Sequence, residues 1–359
     1  MTRDVVVSVV VGLVGAIASA ATLADWPQFR GPDGCGHSAA SGLPSRWSET
    51  DNVVWKATIE GLAWSSPVVR RDRVLLTTAV TITDESTPPS NQGEQSTRTP
   101  SSDAPTKGVP SKEAQSLGIV CLDAANGGEV WRRELFRQEA GAPIHNKNSH
   151  ASPTPIIEGD RVFVHYGPHG TACVGLDGEI IWKRTLPYSP THGNGGSPAR
   201  AGDTLVICCD GSDDQFVVGL DAQNGMERWR TPRDTKPSRG FSFATPLVID
   251  VEGASQVVCP GSDAVFAYDP ADGKEIWRVD YPGGYSVAPR PVYGCGLVFV
   301  ASGYDKPVLY AIDPAGRGNL TETGVRWKLD RNAPLTPSVL VVGDELYCVA
   351  DNGVAICLD

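Results

Sequence analysis

The sequence lacks any long stretch in which apolar residues recur at the helical period, which argues against a helical bundle and for an all-β chain. It also lacks a phosphate-cradling glycine loop, a zinc signature and a Ser-His-Asp spacing, so the commonest nucleotide-binding and hydrolytic chemistries have no carrier. A basic stripe is missing too. Asp and Glu number 42 against 31 Lys and Arg, a net charge of -11, which weighs against a nucleic-acid partner. Long apolar runs are confined to Val5–Ile17, which follows Arg3 and precedes the small residues Ala18-Ser19-Ala20 and Thr22-Leu23-Ala24. This pattern reads as an export signal over 1–24. An uncleaved anchor is the alternative, since Val5–Ala24 is just long enough to cross a bilayer. The mature chain is then a periplasmic or secreted monomer with no membrane span.

What the chain has in plenty is turn residues, 39 Gly and 28 Pro among 359. They punctuate a repeat. Tyr268-Asp269-Pro270-Ala271-Asp272-Gly273-Lys274-Glu275-Ile276-Trp277 has copies at Asp123–Trp131 and Asp221–Trp229, with Gly four residues and Trp eight residues after Asp each time. Apolar runs flank each copy, so each reads as a β-hairpin. Asp can accept backbone N–H groups at the turn, and Gly supplies positive φ without a Cβ clash. A shorter copy ends at Trp182 and a longer one, through Pro314–Gly324, at Trp327. The tryptophans 131, 182, 229, 277 and 327 are spaced 51, 47, 48 and 50 apart. Four strand-like runs per repeat of this length predict a β-propeller.

Ser66-Pro67, Ser152-Pro153, Ser197-Pro198, Thr245-Pro246, Arg290-Pro291 and Thr336-Pro337 open the units. Proline lacks a ladder donor and belongs on a free strand edge, which predicts that these strands line the channel and the Trp strands lie outside. Trp55, Trp131, Trp182, Trp229, Trp277 and Trp327 are expected to dock neighbouring units together. The propeller is expected over 52–359, with about six blades, after a strap over 25–51 whose Trp26–Gly34 segment packs on one end. Residues 84–115, rich in Ser, Thr, Pro and Gln, are expected to be a disordered insert in the first blade. The chain stops at Asp359, where a Trp strand is due. Either the lone strand around Trp55 closes a six-bladed ring, or an eight-bladed ring lacks its C-terminal portion.

Of the nine cysteines, Cys208, Cys209, Cys259 and Cys348 sit inside apolar runs, and Cys121 and Cys357 lie two residues before a turn Asp, where other copies have Gly175, Gly219, Ala267 and Ala311. They are expected to be mostly free, buried thiols. Cys208-Cys209 lies within one strand, so its two side chains point to opposite faces. For ligand binding the candidates are His145, Asn146, Lys147, Asn148 and His150, polar groups clustered just before an inner strand. A hydrogen-bonded connector is the structural reading of the same residues. Asp210, Asp213 and Asp214 are a candidate site for a hard cation, against a solvated loop, because the spacing and distal Glu of an EF-hand are missing.

The Asp-x-x-x-Gly-x-x-x-Trp hairpins with their Ser/Thr-Pro inner strands resemble the PQQ-like (pyrroloquinoline-quinone-type) propeller repeat over about Asn52–Asp359. With the leader and the Trp26–Gly34 opening, the chain resembles the bacterial secreted PQQ-like propellers, related in fold to the outer-membrane assembly lipoprotein BamB. That resemblance implies three functions: a non-catalytic exported scaffold binding a protein or small ligand through its loops or channel mouth, a PQQ-dependent oxidoreductase, or a BamB-like component of an envelope assembly complex. The first needs no cofactor, whereas the second needs PQQ and Ca²⁺ in the channel. The first cysteine, Cys35, lies beyond the Trp26–Gly34 segment, so the lipid-anchoring cysteine of the lipoproteins has no expected counterpart.

Overall fold

The computed structural model describes residues 5–9, 25–82, 109–110 and 113–359. The expected signal over 1–24 falls outside them apart from the backbone of Val5–Val9, as does most of the expected insert over 84–115.

Among the described residues six blade sheets follow one another, their strands paired antiparallel in sequence order, with one added parallel strand in the fourth. The first comprises Val68–Arg70, Arg73–Thr81, Gln115–Asp123 and Glu129–Gln138. The sixth, Leu340–Val342, Glu345–Val349 and Ala355–Leu358, has three strands. This is a β-propeller built of repeated blades. The strand Trp55–Ile59 does not join the sixth sheet, contrary to the ring-closing expectation. It pairs with Val5–Val9, Trp55 opposite Val9.

The hairpins close as their residues dictate. The carboxylates of Asp123, Asp221 and Asp269 each accept the N–H two residues on, at 2.8 Å, and the turn glycines stand at φ near +70°. Across the ladder each tryptophan faces a small residue: Cys121, Cys173, Gly219, Ala267 and Ala311 lie opposite Trp131, Trp182, Trp229, Trp277 and Trp327. In the second sheet this residue is Cys173, not Gly175, because the shorter hairpin shifts the register.

Five of the indoles then reach the next sheet. Trp55, Trp131, Trp182 and Trp229 donate to Ala124 O, Leu176 O, Ala222 O and Pro270 O at 2.8, 2.8, 3.2 and 3.0 Å. Each also lies against that hairpin's glycine, as Trp182 does with Gly225. Trp277 reaches the fifth sheet through a relay: its indole donates to Gln256 Oε1 (2.7 Å), and Gln256 Nε2 donates to Pro314 O (3.3 Å). The long fifth hairpin folds back so that Gly318–Asn319 pairs in parallel with the Trp277 strand. Trp277 is fully buried as a result.

The core lies between sheets. Leu75 packs toward Val162 and Val164 of the second sheet, while its neighbours Val74 and Leu76 pack toward Trp55 and Ile59. Both faces of these strands are covered, so they read as continuous apolar runs. Cys209 faces the second sheet and Cys208 the fourth. All nine cysteines are free, and six are buried.

At the inner edges a chain of hydroxyls stitches the blades. Ser66 N–H donates to Thr154 Oγ1 (3.0 Å), Thr154 N–H to Ser197 Oγ (2.8 Å), Ser197 N–H to Thr245 Oγ1 (3.0 Å) and Arg290 N–H to Ser338 Oγ (2.9 Å). Thr154 and Ser338 occupy this position rather than Ser152 and Thr336, which lie two residues too early. Ser152 instead bonds Asn148 and Ser149 within its connector.

The strap crosses the inner strands at the end where the hairpins turn. Trp26 exchanges two bonds with Val69 (2.8 and 2.9 Å), Pro27 O accepts from Ile157 N–H (2.8 Å), and Arg30 donates to Val339 O (2.7 Å). The buried Arg290 guanidinium holds the strap by donating to Phe29 O and to Gln28 Oε1 at 3.2 Å, and it also binds Pro246 O. The opposite end carries the connectors between sheets and the loops joining each sheet's second and third strands. These two ends are termed the turn face and the loop face.

Candidate binding cleft

Three loops meet on the loop face. One is the connector carrying His145–His150, the second is Tyr166–Gly170 of the second sheet, and the third is the connector around Tyr188–Asn194. Together they enclose a cavity of about 200 Å³, with His150, Tyr166, His169, Tyr188 and Asn194 in its wall. Gly167 (φ +62°) brings the second loop close to the third, since a Cβ there would lie 2.7 Å from Asn194 Cβ.

Asn148 ties the first connector to the third. Its amide donates to His192 O (3.0 Å) and Asn194 O (3.3 Å), and its carbonyl oxygen accepts from Ser149 N–H (2.9 Å). His145 packs edge-on against His192 at 5.1 Å between centroids, and its N–H donates to His192 O (3.2 Å). His150 packs edge-on against His169 at 5.4 Å. Of the sequence candidates, then, His150 lines the cavity, while His145 and Asn148 brace it. Asn146 and Lys147 are exposed beside it.

The cavity wall is uncharged. Burial pushes His150 down to about 4 and His165, behind it, to about 3, and it lowers His145, His169 and His192 as well. His165 Nδ1 meets Thr171 Oγ1 at 2.8 Å, and Tyr166 OH donates to Gly118 O (2.6 Å). Two polar atoms of these residues, His150 Nε2 and Tyr188 OH, are sealed from solvent and have no hydrogen-bond partner among the described residues. Such groups are costly to leave unpaired.

Sequence reasoning missed Tyr166, His169, Tyr188 and Asn194. One signal was available: five of the six histidines fall between positions 145 and 192.

The aspartates of the candidate cation site do not converge. Asp210 is buried and takes two bonds from Arg233, at 2.6 and 3.1 Å, and the same guanidinium donates to Cys259 O (2.9 Å) and Pro260 O (3.2 Å) of the fourth sheet. Asp213 accepts Ser189 N–H and Oγ–H, each at 2.8 Å, and Asp214 accepts Gln215 N–H at 2.9 Å. Among the described residues no group of three or more His, Cys, Asp or Glu is arranged to hold a metal. A quinone held beside calcium needs carboxylates converging on the channel. The inner-edge positions instead carry Thr154, Ser197 and Thr245, whose hydroxyls accept backbone N–H groups of the preceding blade, and the cation Arg290. These residues do not fit that group.

Residues 109–266 and 261–359 match the family described as outer membrane protein assembly factor BamB. No curated protein matches the chain. Among solved structures, BamB from Moraxella catarrhalis is 15% identical over 85% of each chain, with a TM-score of 0.40. A europium-containing methanol dehydrogenase is 10% identical over 86% of this chain and 73% of its own, with a TM-score of 0.55. Quinohemoprotein alcohol dehydrogenase from Comamonas testosteroni is 11% identical over 92% and 70%, with a TM-score of 0.42. At such identities the dehydrogenase likeness is one of fold. Among the described residues no helix is long and apolar enough to cross a membrane.

Proposed function

Since the chain belongs to the family described as outer membrane protein assembly factor BamB, we propose that it is an exported, non-catalytic binding propeller whose loop face docks a protein partner of the cell envelope. The observation that carries this reading is the polarity of the two ends. The turn face is covered by the chain's own strap, anchored on Val69, Ile157 and Arg290. The loop face presents an uncharged cavity beside the exposed Asn146 and Lys147. The apolar leader with its small-residue cleavage positions supports export. The oxidoreductase alternative has less support, because the inner-edge positions carry hydroxyls and a guanidinium where that chemistry needs carboxylates.

The test is site-specific photo-crosslinking in cells, with p-benzoylphenylalanine replacing Lys147 on the loop face or Asp203 on the turn face. A discrete adduct with one envelope protein from position 147 and none from 203 is expected. Adducts from 203 alone, or from neither position, would overturn the reading.

A further inference from the structure

We propose that His37 is a pH-operated latch on the strap: its imidazolium clamps the strap to the sixth sheet, and loss of one proton frees the length over 38–51.

The ring stands between two acceptors on two different elements. His37 Nδ1 lies 3.0 Å from Asp33 Oδ2, within the strap. Its Nε2 lies 2.6 Å from Val341 O, on the inner strand of the sixth sheet. An ionised carboxylate and a carbonyl only accept, so both ring nitrogens must donate. Only the imidazolium does so. A neutral ring turns one lone pair onto an acceptor oxygen and keeps a single bond. The same pairing lifts His37 above its ordinary 6.5, through Asp33 first and Val341 next.

The neighbouring charges are of both signs. Arg30 donates to Val339 O, two residues back along the same strand, and to Cys35 O, both at 2.7 Å, and its charge opposes protonation of His37. Arg290, just before the fifth sheet, adds a second positive charge under the strap, where it binds Phe29 O. Asp344 and Glu345, exposed at the sixth sheet's turn, carry the sign that favours the imidazolium.

What the latch controls follows from the bonds beyond it. Arginine stays charged in proteins, so Arg30 holds the first part of the strap at any pH. Among the described residues no hydrogen bond joins 38–51 to a blade sheet. The bonds there are local, such as Ser48 with Asp51 and Asn52 with Arg46 O. This length carries Leu43 and Trp47, 64% and 63% exposed, so His37 sets where two large apolar side chains stand. Because the folded state binds the His37 proton more tightly than the unfolded one, the clamp is complete below pH 6.5. It is lost as pH rises through the raised value.

NMR of the histidine side chains, six in the full-length protein, tests this from about pH 5 to 9 alongside hydrogen exchange corrected for its intrinsic pH dependence. His37 is expected to titrate above 6.5. Exchange over 38–47 should speed up about 2–5-fold across that titration, the scale of one partly exposed ion pair. His37→Gln should hold the faster exchange at every pH. Asp33→Asn, whose amide oxygen can still accept the Cys35 N–H, should bring His37 down toward 6.5. A His37 titration at or below 6.5, exchange over 38–47 that ignores pH, or an unchanged pH dependence in His37→Gln would overturn the proposal. The first two readouts come from the unmodified protein and stand without the variants.

Discussion

Gly225 and Gly253 both adopt left-handed backbone, at φ +70° and +82°. Only Gly225 lies under an indole: a Cβ there would sit 2.6 Å from Trp182, whereas one on Gly253 meets nothing within 4 Å. Alanine at either position bears the left-handed strain of about 1–2 kcal/mol. Gly225→Ala must also displace the indole that joins the second sheet to the third. Chemical denaturation should therefore show Gly225→Ala destabilised by at least about 1 kcal/mol more than Gly253→Ala, in the range of core overpacking. Equal losses would mean that the indole contact does not hold the blades.

The buried histidines make a second argument at this scale. His150 and His165 titrate at about 4 and 3 in the fold, against an ordinary 6.5, because burial disfavours the imidazolium. Between those values the unfolded chain holds more protons than the folded one. Their contribution to stability is thus complete above pH 6.5 and is lost as pH falls toward 4, at up to roughly 1.4 kcal/mol per pH unit for each histidine. Urea unfolding across pH 7 to 4.5 should show this decline, and His165→Asn should flatten it. An unchanged slope in that variant would contradict the assignment.

At the scale of the element, the hairpin carries the architecture, and Trp277 is its most buried tryptophan. Trp277→Ala removes the packing and the Gln256 relay together, and should cost about 3–5 kcal/mol in calorimetry or denaturation. A loss no larger than a surface substitution gives would count against the indoles as the fastening between sheets.

The hairpins were legible because their signal is local: Asp, Gly and Trp at set offsets reproduce turn chemistry in every copy. Two finer assignments slipped for equally local reasons. Ser152-Pro153 and Thr336-Pro337 look like inner-strand openers, but the position is defined by a hydroxyl reaching the adjacent blade, which only Thr154 and Ser338 do. Cys173 rather than Gly175 lies under Trp182 because a three-residue shorter turn moves the register. In the cleft, the stretch from His145 to His150 could be singled out as a polar cluster in one connector. Tyr188, His169 and Asn194 could not. They arrive from two other loops, brought together by how the second and third sheets pack, and no single window contains them.

At the scale of the whole molecule, the two ends of the propeller are built differently. The strap and Arg290 close over the turn face, the hydroxyl chain from Ser66 to Thr245 stitches the inner edges, and the histidine-walled cavity opens on the loop face. Under the proposed function this chain acts by binding at the loop face and not by quinone chemistry in its channel. Titration of the purified protein with PQQ in the presence of Ca²⁺, followed by calorimetry and by dye-linked oxidation of alcohols, tests it most directly. The account predicts no saturable heat and no turnover; stoichiometric quinone binding with alcohol-dependent dye reduction would contradict it.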